Sequence, residues 1–222
     1  MKVKFLPVFG IALAGFLFSA AAGSAGAVEV DIKFSEKLAK VMPMINGVER
    51  KREEQFRRYR QTKRTGFNNS RRLANARWPA VQWANEVLIP DFADFSVEAL
   101  TRGFVTASLE RAGVNGVDRV VIEIEKLHVE NYSVVTVAGP SSYAIGSITA
   151  YDAAGNIIGT ADVTANLVTD FLTAPRYDGS DFAFPDTSGR LRVGPTLAYF
   201  VHKGLGMIFP DREFARTVLI TY

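Results

Sequence analysis

Apolar positions along the chain fall into two regimes, a long opening run and then shorter periodic segments. The run "FLPVFGIALAGFLFSAAA" (5–22) follows Lys2 and Lys4 and leads into the small-residue stretch "GSAGA". A charged start, an apolar middle and an A-x-A pattern at Ala25 and Ala27 predict a signal peptide over 1–27, cleaved after Ala27. The alternative is an inner-membrane anchor through residues 5–22, a run just long enough to span as a helix.

Beyond residue 28 the pattern predicts an appendage and then a core. Apolar periodicity starts in earnest at Val81, which sets residues 28–79 apart as the appendage. "SEKLAKVMPMI" starts a short helix that Pro43 disturbs, and a second helix runs from Val48 to Arg64. In it Glu53 and Glu54 stand four residues before Arg57 and Arg58, the favourable order for ion pairs along a helix. Phe56 and Tyr59, three apart, give it one narrow aromatic stripe.

The core is expected over 80–222. In "AVQWANEVLI" Val81, Trp83, Val87 and Ile89 hold alternate positions, which predicts a strand ending before Pro90. A helix follows, capped by Asp94 or Ser96, with Val97, Leu100, Phe104 and Ala107 on one face and Gly113 as its stop. Val120, Ile122 and Ile124 then share one strand face while Leu127 and Val129 take the other parity, predicting a β-bulge near Lys126. "SYAIGSITAYD" and "IIGTADVTANLVTDF", joined by "DAAGN", form a hairpin with one buried and one wet face. Its small residues, including Gly146, Gly159 and Ala161, leave room for a helix against the sheet. "TAPRYDGSDFAFPDTSGR" reads as a loop, and a final helix with Pro195 in its first turn packs through Leu197, Val201 and Ile208. The expected fold class is α+β: an antiparallel sheet with a β-meander, helices packed on one face, and a basic helical N-terminal appendage.

This order of strand, helix, strand and the hairpin "AIGSITAYDAAGNIIGTADV" resembles the soluble core of small bacterial envelope lipoproteins of unassigned function, over roughly residues 80–210. The resemblance implies an outer-membrane-associated accessory protein. The chain departs from those lipoproteins in having no cysteine to carry the lipid. Without cysteine an exported fold must rest on its core, and 195 residues after the leader suffice for one.

Charge changes the picture further. Residues 49–77 carry eleven basic side chains and three acids, a net charge of +8. Outside that segment and the two leader lysines stand 13 basic and 20 acidic residues, a net charge of −7. Such asymmetry predicts an electrostatic partner for the segment, or the acidic remainder of its own chain. Export argues against nucleic acid. The expected partner is an anionic envelope component or an envelope protein, with peripheral membrane association. The expected binding residues are Arg57, Arg58, Arg60, Lys63 and Arg64, with Phe56 and Tyr59 adding shallow insertion.

Candidate chemistry is thin. His128 and His202 belong to no metal-type spacing, and no cysteine is present to join them, so no metal or cofactor is expected. "GPSSY" (139–143) reads as a turn, and "GLGMIF" lacks a preceding strand for a dinucleotide fingerprint. Glu123 and Glu125, and Asp162 and Asp170, fall on wet strand faces. Asp178, Asp181 and Asp186 lack the full pattern of a calcium loop. The expectation is an exported, periplasmic accessory or binding protein without catalytic activity. The alternatives are a periplasmic hydrolase with an unrecognised carboxylate site and a structural subunit of an envelope complex.

Overall fold

The computed structural model describes residues 28–59, 81–129, 142–166, 177, 179–185 and 193–220. Its centre is a four-stranded sheet in the order β1 (Glu29–Phe34), β2 (Arg119–His128), β3 (Tyr143–Tyr151) and β4 (Ile157–Asn166). β1 runs parallel to β2, from Glu29 opposite Arg119 to Phe34 opposite Ile124. The other pairings are antiparallel, so β2, β3 and β4 form the expected meander.

Between the two parallel strands the described residues are mostly helical. They form α1 (Glu36–Tyr59), α2 (Ala84–Leu88), a 3₁₀ turn at Phe92–Asp94 and α3 (Val97–Arg111). The last helix, α4 (Val193–Ile208), lies against β3 and β4. A second, two-stranded sheet pairs β5 (Phe182–Pro185) with β6 (Thr217–Ile220) in parallel, and Trp83 bridges to Ala183 on β5.

Alternation decides which face of the main sheet is covered. Val120, Ile122, Ile124, Ala144, Ile148, Ala150, Ala161, Val163 and Ala165 are buried, whereas Glu123, Glu125, Thr160, Asp162 and Thr164 are exposed. Among the described residues the helices therefore cover one face, and the α+β expectation holds. The bulge also appears where expected, as a register shift between Ile124 and Lys126. Gly146, paired with Ile124, is needed there, because a Cβ on it would lie 1.9 Å from the Glu123 carbonyl oxygen. α3 begins at Ser96, whose hydroxyl accepts from the Ala99 N–H at 3.0 Å, and ends before Gly113 at φ 59°.

Four expectations are corrected. Residues 28–59 are no appendage: β1 is a strand of the main sheet, and Val30, Leu38 and Met42 sit in its core. The core thus begins near Val28 instead of residue 80. α1 is one continuous helix through Pro43, where two were expected. Proline removes one backbone bond, but apolar burial at Leu38 and Met42 before it and at Phe56 after it holds both halves on the domain. Residues 81–89 form a bridge and a short helix in place of a strand. The Glu86 and Val87 N–H groups both bond to the Trp83 carbonyl, leaving Val87 exposed. Finally, β5 occupies part of the expected loop. Phe182, Ala183, Phe184 and Pro185 are all buried, so no alternation marks them as a strand.

Candidate functional site

The last three turns of α1 hold the described part of the basic segment. Its acids are Glu49, Glu53 and Glu54, and each meets a basic residue of the same helix. Arg52 Nη1 lies 2.6 Å from Glu49 Oε1, and Arg57 Nε lies 2.9 Å from Glu53 Oε1. Arg58 pairs with Glu54 on the solvent side. The i, i+4 pairs expected from Glu53 to Arg57 and from Glu54 to Arg58 are both present.

These pairs have different surroundings. Glu53 is completely buried, and its second oxygen accepts from Asn85 Nδ2 at 2.9 Å. Burial pushes its carboxyl up, opposed by the hydrogen bonds from Asn85 and Arg57. The Arg57 guanidinium also donates to three carbonyls, those of Pro90 at 2.7 Å, Ile89 at 2.7 Å and Asn85 at 3.1 Å. It thus closes the C-terminal end of α2, where the Ile89 and Pro90 carbonyls lack helical partners and the Asn85 carbonyl also accepts the Ile89 N–H at 3.0 Å. Phe56 meets Trp83 edge to face, with ring centroids 6.1 Å apart. Phe56 and Arg57 therefore hold α1 to α2 and are not available to a surface partner. Their expected binding role is corrected.

Arg58 keeps 75% of its side chain exposed. Arg50 reaches the Ala93 carbonyl, and Lys51 is exposed beside it. Arg60, Lys63 and Arg64 lie outside the described residues, as does the side chain of Tyr59. The structure therefore brings Phe56, Arg57 and Arg58 onto one helix end but divides them between core and solvent.

Glu49 is the residue that sequence reasoning missed. It lines a cavity of about 200 Å³ between α1 and the end of β2, with Ile45, Val48, Leu127 and Val129 around it. Its Oε2 is buried without a hydrogen-bond partner among the described residues. Burial lifts its carboxyl to about 6, against the pull of Arg52. A signal was present: Leu38, Met42, Ile45, Glu49, Glu53 and Phe56 follow one helical stripe. Two acids in that stripe disguised it as a solvated face. Among the described residues the cavity offers one carboxyl and one guanidinium, with no second acid for paired acid–base work.

The remaining candidates are dispersed. His128 is exposed and stacks on Tyr143, while His202 Nδ1 donates to the Ala215 carbonyl at 3.1 Å. Asp181 is buried and holds Arg216 through Nη2 at 2.7 Å, which commits it to structure. Asp170, Asp178 and Asp186 lie outside the described residues. Among the described residues no three histidine, aspartate or glutamate side chains gather as metal ligands. No described helix is long and apolar enough to cross a membrane. No protein-family model, curated protein or solved structure matches this chain.

Proposed function

We propose that this is an exported accessory or binding protein of the bacterial cell envelope, without catalytic chemistry, whose basic segment contacts an anionic lipid surface. The observation that supports it is the division of charge along residues 49–77. All three acids of the segment are paired inside α1 with Arg52, Arg57 and Arg58. Residues 60–77 then carry six basic side chains and no acid. Intramolecular pairing within α1 does not neutralise that later charge.

The docking of α1 supplies a firm base for it. Phe56 on Trp83, and Arg57 on the carbonyls of α2, fix the helix end from which the basic stretch departs. The contacts then fall to Arg58, Arg60, Lys63 and Arg64. Each basic residue near an anionic surface contributes about 1 kcal/mol, so four together give useful, salt-sensitive affinity.

Sedimentation with vesicles tests this, using the protein in the form recovered from cells, with intact mass establishing whether residues 1–27 are present. Binding to acidic vesicles should exceed binding to neutral ones. Changing Arg58, Arg60, Lys63 and Arg64 to Gln should abolish the difference while Arg57 keeps the fold intact. Equal binding to both vesicle types, or an unaffected variant, overturns the reading in favour of docking on a protein.

A further inference from the structure

A second basic feature lies on the described fold, apart from α1. A cleft of about 940 Å³ opens between the ends of α3 and α4 and the residues leading into β5 and β6. Three arginines line it, Arg111, Arg212 and Arg216, together with Asp181, Glu213 and His202.

Two of the guanidinium groups are held in place by three consecutive residues. Arg111 Nη1 donates to the Ser180 carbonyl at 3.1 Å, and its guanidinium lies 4.7 Å from the centre of the Phe182 ring. Between those residues, Asp181 Oδ2 accepts from Arg216 Nε at 3.2 Å and Nη2 at 2.7 Å, and its Oδ1 accepts from Nε at 3.4 Å. Asp181 Oδ1 also accepts the Arg216 backbone N–H at 2.8 Å, tying the lead-in of β6 to the start of β5. The rotamer entropy of two long side chains is thus largely spent on folding, which lowers the cost of binding a ligand.

The third arginine differs. Arg212 sits in the turn after α4, exposed, and its side chain makes no hydrogen bond or ion pair among the described residues. Asp181 is consumed by Arg216, so among the described residues Glu213 is the one lining acid left against Arg111 and Arg212. The described lining keeps a net positive charge, and His202 adds none near neutral pH, since burial pushes its imidazole down.

We infer that this cleft binds a phosphate group carried on a larger organic body, with Arg212 closing on the anion against pre-set Arg111 and Arg216. Guanidinium groups at the end of α3 (Arg111) and at two points of the α4–β6 connection (Arg212, Arg216) suit a tetrahedral oxyanion, whereas a planar carboxylate is matched by a single fork. The volume is far more than one phosphate needs and falls in the range of small-molecule sites, and Pro210 and Phe214 give the body apolar wall to rest on. The phosphate can come from a soluble phosphoester or from a lipid headgroup.

Titration of the ¹⁵N-labelled full chain with glycerol 3-phosphate, and separately with monomeric dihexanoyl phosphatidic acid, tests this. Saturable shifts are expected at Gly206, Arg212 and Ala215 by NMR. Tighter binding of the lipid analogue assigns the headgroup, and equal binding assigns the soluble ester. Arg212→Gln should weaken binding roughly tenfold, the loss of one charge-assisted contact. Gly206→Asp should also weaken it, by placing a carboxylate in the cleft. A Cβ at Gly206 meets nothing within 4 Å, so that variant has room. Absence of saturable shifts at these residues, or unchanged affinity in both variants, overturns the inference. The four-residue Gln variant of the basic segment should leave these shifts unchanged, which separates this cleft from the vesicle-binding proposal.

Discussion

Arg57 reaches back one turn of α1 to Glu53, with Nε 2.9 Å from Oε1 and the carboxylate completely buried. The same guanidinium closes the end of α2. One side chain therefore compensates a buried charge and satisfies three carbonyls. By contrast Arg58, the next residue, pairs with Glu54 in solvent.

Neighbouring arginines should accordingly behave very differently. Arg57→Gln leaves Glu53 buried without its counter-charge and should cost about 3–5 kcal/mol. Arg58→Gln should stay within about 0.5 kcal/mol of the parent. Urea denaturation of the two variants measures the contrast, and equal losses would remove the structural role assigned to Arg57.

The contact of Phe56 with Trp83 is the apolar counterpart. Phe56→Ala should cost about 3–5 kcal/mol, as for a buried aromatic truncation. A double-mutant cycle with Trp83→Leu should return a coupling of about 0.5–1.5 kcal/mol for the edge-to-face pair. Additive losses would show that the rings do not stabilise each other.

Glu49 predicts a pH dependence. Its carboxyl rises from the ordinary 4.5 to about 6 because burial disfavours its charge. A group raised on folding stabilises the fold below 4.5, and that contribution is lost as pH rises through 6. The interval corresponds to about 2 kcal/mol. His202, pushed down by burial, acts in the opposite sense, losing stability as pH falls below 6.5. Comparing the parent with Glu49→Gln cancels that background. Between pH 7.5 and 4.5 the gap in unfolding free energy should move by up to about 2 kcal/mol in favour of the parent. A constant gap would place the Glu49 carboxyl near its ordinary value.

Two helical glycines should respond with opposite signs. A Cβ on Gly204 would sit 2.6 Å from Ile148 Cδ1 and 2.9 Å from Val163 Cγ2, so Gly204→Ala should cost about 1–3 kcal/mol. Gly47, within α1, has nothing within 4 Å of that position, and Gly47→Ala should gain about 0.5–1 kcal/mol. Thermal melts of both variants report the sign.

A chain starting at Ala80 tests the domain boundary. It lacks β1, exposing one edge of β2, and it lacks Val30, Leu38, Met42 and Phe56 from the cores. It should lose cooperative unfolding by circular dichroism. A cooperative melt like the parent's would restore an independent core over 80–222.

Local pattern by itself determined the elements whose burial is one-sided. β3 and β4 alternate because one face meets α4 and the other meets water, so their sequence carries that period. α3 shows its stop at Gly113 and a cap at one of two candidates, of which the fold uses Ser96 over Asp94, and the parity slip at Lys126 marks the bulge. The pairing of Glu53 with Arg57 was legible for the same reason, since helix geometry alone sets a four-residue separation. Tertiary structure decided the rest. β5 is covered on both faces, which erases alternation, and β1 is a short strand whose partner stands ninety residues later. The stripe of α1 contains Glu49 and Glu53, acids that sequence reading assigns to water. Their burial is tolerable because Arg52, Arg57 and Asn85 meet them, and Asn85 comes from a separate helix. Hydrophobic period records which side of an element faces the core. It does not record a polar partner supplied from elsewhere in the fold, such as Asn85, and such contacts place Glu49, Glu53 and Phe56, the start of the expected surface arm, in the packed part of the fold.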